Sequence, residues 1–130
     1  MGVRFPGQGS TTIVNASVVT TAQTIICTTP PLNLPLDGAL VMIFWWAVFA
    51  TGSGVTSIIQ NILRGATLTS TRINLGGSIA ATASSNTNLS GSYVDTPGAV
   101  AAQQYSLALT QGAATGNGTV SDVCLIAFAL

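Results

Sequence analysis

The chain has 130 residues, 48% of them hydrophobic and only 5% charged, with a formal net charge of zero. It contains no histidine, lysine or glutamate, and its charged side chains are Arg4, Arg64, Arg72, Asp37, Asp95 and Asp122. That inventory excludes histidine-based acid–base, nucleophilic and metal chemistry and any lysine Schiff base, and three scattered arginines exclude a groove that tracks nucleic-acid phosphates.

In chain order, residues 1–10 are glycine-rich and polar and read as an N-terminal arm, either a frayed end or an arm that docks on a neighbouring subunit through Phe5. No apolar leader stretch precedes Thr11, and Pro6 stands where myristoylation needs serine or threonine, so neither modification is expected. From Thr11 the chain reads as a strand, with Thr12, Val14, Ala16 and Val18 alternating against Ile13, Asn15, Ser17 and Val19. Gln23–Thr29 is β-branched and stops at Pro30-Pro31. The following PPLNLPLDG reads as a rigid extended loop closed by Asp37-Gly38.

Ala39–Thr51 holds the longest apolar run. It is too short for a membrane helix of about 20 residues and lacks flanking lysine or arginine, so it reads as a strand despite a mean hydropathy of +0.60. Leu40, Met42, Phe44, Trp46 and Val48 face one way; Val41, Ile43, Trp45, Ala47 and Phe49 face the other. Only one face of a sandwich strand meets the core. Ile43, Trp45 and Phe49 are expected on the outer face, where a neighbouring subunit is the simplest cover.

Gly52-Ser53-Gly54 is a turn. In Val55–Arg64 the apolar residues Ile58, Ile59, Ile62 and Leu63 fit a helical stripe capped by Gly65, and they also fit a strand leaving a hairpin. Thr67–Leu75 alternates as a strand, and Ser78–Ser92 suggests two short strands around Asn86. Asp95-Thr96-Pro97-Gly98 is a turn in which the aspartate would bond its own backbone. Gln103–Thr110 points Tyr105, Leu107 and Leu109 inward. Gly112–Gly118 is a loop, and Thr119–Leu130 is a closing strand apolar on both faces. The sum is an all-β, jelly-roll-like antiparallel β-sandwich of about eight strands, a single domain over residues 11–130 behind the arm; an immunoglobulin-like sandwich is the alternative. Arg64 and Arg72 are expected to be structural or interfacial, each meeting a carboxylate, backbone carbonyls or a partner.

The stretch Ile58–Gly65, then Asp95-Thr96-Pro97-Gly98, then Tyr105-Ser106-Leu107-Ala108-Leu109 resembles small jelly-roll structural proteins of tailed phages, over roughly residues 38–130. The resemblance implies a virion protein made in the host cytoplasm, a homo-oligomer, most simply a trimer. It would act as a capsid decoration, cement or head-fibre protein whose partners are its own copies and a major capsid or other virion protein. Nucleic acid, membrane, cofactor and metal have no place in that reading, and no enzymatic constellation survives the missing histidine. A carbohydrate-binding fibre or spike tip is the alternative. Cys27 and Cys124 are either two buried thiols or a structural pair. If Gln23–Thr29 is the first main strand and Thr119–Leu130 the last, the two are antiparallel neighbours, and the cysteines lie close enough to test for a disulfide, which needs Cα atoms within about 7 Å.

Overall fold

A computed structural model of the protein describes residues 8–34, 39–74, 78–113 and 115–130. Among them every regular element is a strand. One sheet holds β1 (Gln8–Val19), β11 (Gly118–Ala129), β4 (Val41–Ala50) and β8 (Asn86–Asp95), in that order. The facing sheet runs β2 (Thr24–Thr28), β10 (Tyr105–Gly112), β5 (Ser57–Arg64) and β6 (Thr71–Arg72), with β7 (Ser78–Ala80) also pairing β5. A small third ladder joins β3 (Leu32–Leu34) to β9 (Val100–Gln103), and every pairing is antiparallel.

The pairings are nested. β1 meets β11, β2 meets β10, β4 meets β8, and β5 meets β6 and β7. A chain that pairs from the outside in is one long hairpin. Rolled up so that successive rungs fall in alternate sheets, it gives a jelly roll, the all-β sandwich expected. The roll is closed by β11 lying against β4 and β10 against β5.

This order corrects one expectation. The neighbour of β11 is β1, not the strand carrying Cys27; β2 pairs β10 in the opposite sheet. The reason lies in length and polarity. β11 is apolar on both faces and long, so it takes a position flanked on both sides. β1, also 12 residues, matches it rung for rung, whereas β2, with 5, ends at the prolines. Pairing also begins at Gln8 rather than Thr11, so residues 8–10 belong to the strand. β3 appears inside the segment read as a loop: Leu32 and Leu34 are buried while Asn33 is exposed. Val55–Arg64 resolves as strand. Among the described residues of Thr67–Leu75 only Thr71–Arg72 form a strand, and β8 is one long strand where a short one was expected.

The core lies between the sheets. Ile43, Phe49, Leu89 and Leu125 meet Ile58, Ile62, Leu107 and Leu109, all almost fully buried. Trp45 crosses this layer, its indole N–H donating to Gln60 Oε1 on β5 at 2.9 Å. Room for its ring comes from Gly91, its direct partner on β8, where a Cβ would sit 2.2 Å from the ring. At one end of the sandwich the buried Gln111 ties three segments together. It accepts from Gly52 N at 2.9 Å and donates to the carbonyls of Val19 at 2.9 Å and Gly116 at 3.1 Å.

Candidate assembly surface

Alternation along β4 decides which side chains remain available. Its odd-numbered residues are buried and its even-numbered ones are partly or fully exposed. Ile43, Trp45 and Phe49, expected on the outer face, are therefore core residues of this chain; Trp45 is only 6% exposed. Both faces of the strand are apolar, so the sequence defines two faces without saying which is inside. The hydrogen bond to Gln60 and the space left by Gly91 fix Trp45 inward. Phe5, the other expected interface residue, lies outside the described residues.

The outer face falls to Met42, Phe44 and Trp46, with Phe44 40% and Trp46 48% exposed. Register aligns their neighbours in rows across the sheet. Met42 stands between Phe128 of β11 and Val94 of β8. Phe44 stands between Ile126 and Ser92, and Trp46 between Cys124 and Ser90. At the near end Leu130 N–H donates to the Leu40 carbonyl at 2.9 Å, and both side chains are exposed. Two further rows, Val48 with Ser121 and Asn88, then Ala50 with Thr119 and Asn86, are mostly polar. An exposed row of this kind, aromatic in the middle and hydroxyl- and amide-rich at its margin, has the anatomy of a protein contact surface.

β11 carries a bulge where the two sets of rows meet. Between Ser121 and Cys124 it has one residue more than the facing stretch of β4. Asp122 sits there with φ 51, in the left-handed region, and is exposed. On β4, β8 and β11 the only charged residues are Asp122 and Asp95.

Asp95 is elsewhere and does something different. It ends β8 with its side chain 3% exposed and accepts from Arg64 Nε at 2.9 Å, from Arg64 Nη2, and from the Tyr105 hydroxyl at 2.8 Å. Arg64 and Tyr105 are cross-strand neighbours on β5 and β10, so a carboxylate of one sheet is held by two side chains of the other. Its hydrogen bond to Asp95 raises the Arg64 pKa, against the pull of burial. Burial first, then the hydrogen bond to Asp95, holds the Tyr105 phenol far above its usual range. Asp95 was expected to bond its own turn; its partner instead comes from the other sheet, and Arg64 meets a carboxylate as expected. Arg72 is exposed on β6. This cluster is a clamp between the sheets: it joins charges that complete one another and leaves no group free to react.

Cys27 and Cys124 are both buried free thiols. Cys27 lies in the core cluster on β2, while Cys124 lies outside it on β11, in the outward register of Trp46. They occupy different sheets, which removes the strand pairing expected to bring them together. Burial pushes the Cys27 thiol up to about 11; a backbone hydrogen bond from Leu107 pulls it down and Cys124 adds a further rise. Burial also raises Cys124. Among the described residues no group of three potential metal ligands comes together, and no helix is long and apolar enough to cross a membrane.

No protein-family model and no curated relative matches the sequence. Solved structures do match the fold. VP2 of infectious bursal disease virus, in a subviral particle, is similar over 95% of this chain with TM-score 0.56 and 10% identity. This chain spans 33% of that one, about a third of its length. Eiger TNF from S. frugiperda matches over 97% of this chain and 94% of its own, with TM-score 0.53 and 11% identity. FLHE matches over 93% and 92%, with TM-score 0.51 and 10% identity. At these identities the likeness is one of fold.

Proposed function

We propose that this chain is a structural subunit of a virion that assembles with its own copies, most simply as a trimer, and binds a major capsid protein or another virion protein. Within that role it would serve as a capsid decoration, cement or head-fibre protein, as in the tailed phages it resembles. The observation that carries the reading is the outer face of the β1-β11-β4-β8 sheet, where Phe44 and Trp46 stand exposed on a chain with only 5% charged residues. A protein that presents large aromatics from the middle of a sheet and has so little charge to keep it dispersed is built to be covered. Its fold neighbours include a VP2 chain in virus particles, and a jelly roll of this kind supports the same role here. The missing histidine and lysine and the fully paired Asp95 clamp favour packing over catalysis.

Light scattering on the purified protein at micromolar concentration tests this. The expected mass is a small multiple of the 13.1 kDa chain, with three as the simplest value. A stable monomer would remove the reading. Trp46 beside Ser90 and Ser92 also favours a second reading, a sugar platform at a fibre or spike tip, since aromatic rings flanked by hydroxyls stack on sugar faces. A glycan array separates the two: specific glycan binding that is lost in Trp46→Ala, by a protein that stays monomeric, would favour the second.

A further inference from the structure

The outer face changes character along the strands, and the change falls at the bulge of β11. On the Leu40–Leu130 side of the bulge the rows centred on Met42, Phe44 and Trp46 are apolar, edged by serines of β8. Beyond it the rows of Val48 and Ala50 carry Ser121, Thr119, Asn88 and Asn86, with Asp122 exposed at the boundary. A bulge sharpens strand twist and bends the strand locally, so the two halves do not lie in one plane.

We propose that the apolar half of this face is the docking site for another copy of this chain, and that the polar half past the bulge stays hydrated. Assembled copies would then meet at the Leu40–Leu130 end and splay apart at the Asn86 end. This rests on the self-association reading and adds which half of the face makes the contact.

The features of the face favour a second copy over a foreign partner. Three strands about 4.8 Å apart and seven residues at about 3.3 Å each give the apolar half roughly 330 Å² in plane. Its aromatic side chains stand proud of that plane, so two copies together would bury on the order of 1,000 Å² in total, as a specific interface needs. No charged residue lies in these apolar rows, so nothing there would steer or select a partner through charge complementarity, the usual device of an interface between different proteins. An apolar centre without charge matches the obligate contacts of homo-oligomers, and closed rings of identical subunits are their usual form.

Two substitutions on the same strand and the same face, one on either side of the bulge, test the partition. Phe44→Asp and Val48→Asp both replace outward side chains, so circular dichroism should show both variants folded. By light scattering over a dilution series, Phe44→Asp should run as a monomer, with its dissociation midpoint at least tenfold higher than wild type; Val48→Asp should keep the wild-type mass. A monomeric wild type overturns both this proposal and the self-association it rests on. An oligomeric wild type whose mass survives Phe44→Asp, or is lost in Val48→Asp, overturns the partition and leaves self-association standing. If Phe44→Asp does not fold, acrylamide quenching of the wild type decides. Trp45 is buried in the core, so protection of the whole tryptophan emission places Trp46 in the contact, whereas a quenchable fraction near one half places it outside and overturns the proposal.

Discussion

Asp95 shows how few charged residues this fold uses, and how each must be matched. The carboxylate is buried, with hydrogen bonds from Arg64 on one side and Tyr105 on the other, both from the facing sheet. Removing it leaves a buried phenol and a partly buried guanidinium without their acceptor. Asp95→Ala is therefore expected to lower unfolding free energy by about 3 kcal/mol. Tyr105→Phe, which removes only one donor, should cost about 1 kcal/mol. Urea unfolding of the three proteins at neutral pH checks both the sizes and their order; equal losses would mean that the hydrogen bonds to Asp95 are not what holds the sheets there. Cys27 supplies a second expectation at this scale. Its thiol is raised from the usual 9.0 to about 11 in the folded chain, chiefly by burial. Between those values the unfolded chain loses its proton first, so stability is fully present below pH 9 and falls as pH rises toward 11, by about 3 kcal/mol at most. Tyr105, also raised, continues the fall above pH 10. Unfolding midpoints at pH 7.5 and pH 10.5 should drop less in Cys27→Ala than in wild type, even though the variant starts lower from its lost packing. An identical drop would show that Cys27 is not the titrating group.

At the scale of the element, β4 is decided by its neighbours. Gly91 lies on the rung that faces Trp45, and a Cβ there would overlap the ring at 2.2 Å. Gly91→Ala is expected to destabilise by about 1–3 kcal/mol through overpacking, and thermal unfolding checks it. Recovery in the double variant with Trp45→Phe would show that the clash is with the indole. The same contact explains what was legible in the sequence. β10 was readable because Tyr105, Leu107 and Leu109 alternate with smaller or more polar residues, and that inward face is what the structure shows. The strand state of β5 was ambiguous because Ile58 and Ile62 are four apart, a spacing close to a helical turn and also a multiple of the strand period. For β4 the two-residue period gave the two faces correctly, but their orientation depends on Gln60 and Gly91, far along the chain, and no local pattern carries that. Asp95 was misread for the same reason: Asp-Thr-Pro-Gly is sound turn chemistry, and its partner Arg64 is 31 residues away. The candidate surface was thus half legible. An apolar outer face on β4 followed from composition and period, and its exposed members are Phe44 and Trp46 rather than Trp45 and Phe49.

At the scale of the whole molecule, two adjacent tryptophans separate the core from the outer face, and so folding from the proposed assembly. Trp45→Asp puts a carboxylate into the core and should leave the chain unfolded or insoluble. Trp46→Asp changes only the outer face, so it should keep native circular dichroism and unfold cooperatively, but as a smaller particle. Expressing both variants and comparing soluble yield, circular dichroism and light-scattering mass checks this; a soluble, folded Trp45→Asp protein would contradict the assignment of inner and outer faces.

The nested pairing also bears on how the chain is made. β11 lies between β1 and β4 in its sheet, yet it follows all the other described strands in the chain. While the protein is being synthesised, the strands on either side of that gap have no partner between them, and the inward apolar residues of β4 have no completed sheet to close over them. Domains rich in such distant pairings fold slowly, and their unpaired edges invite association before folding is complete. The last of the described strands to be made is thus a central one, so completing this sheet means inserting a middle strand rather than adding an edge. In the proposed assembly, closure of this sheet and first contact with a neighbouring copy would compete, and the local concentration of nascent chains would become one determinant of correct assembly.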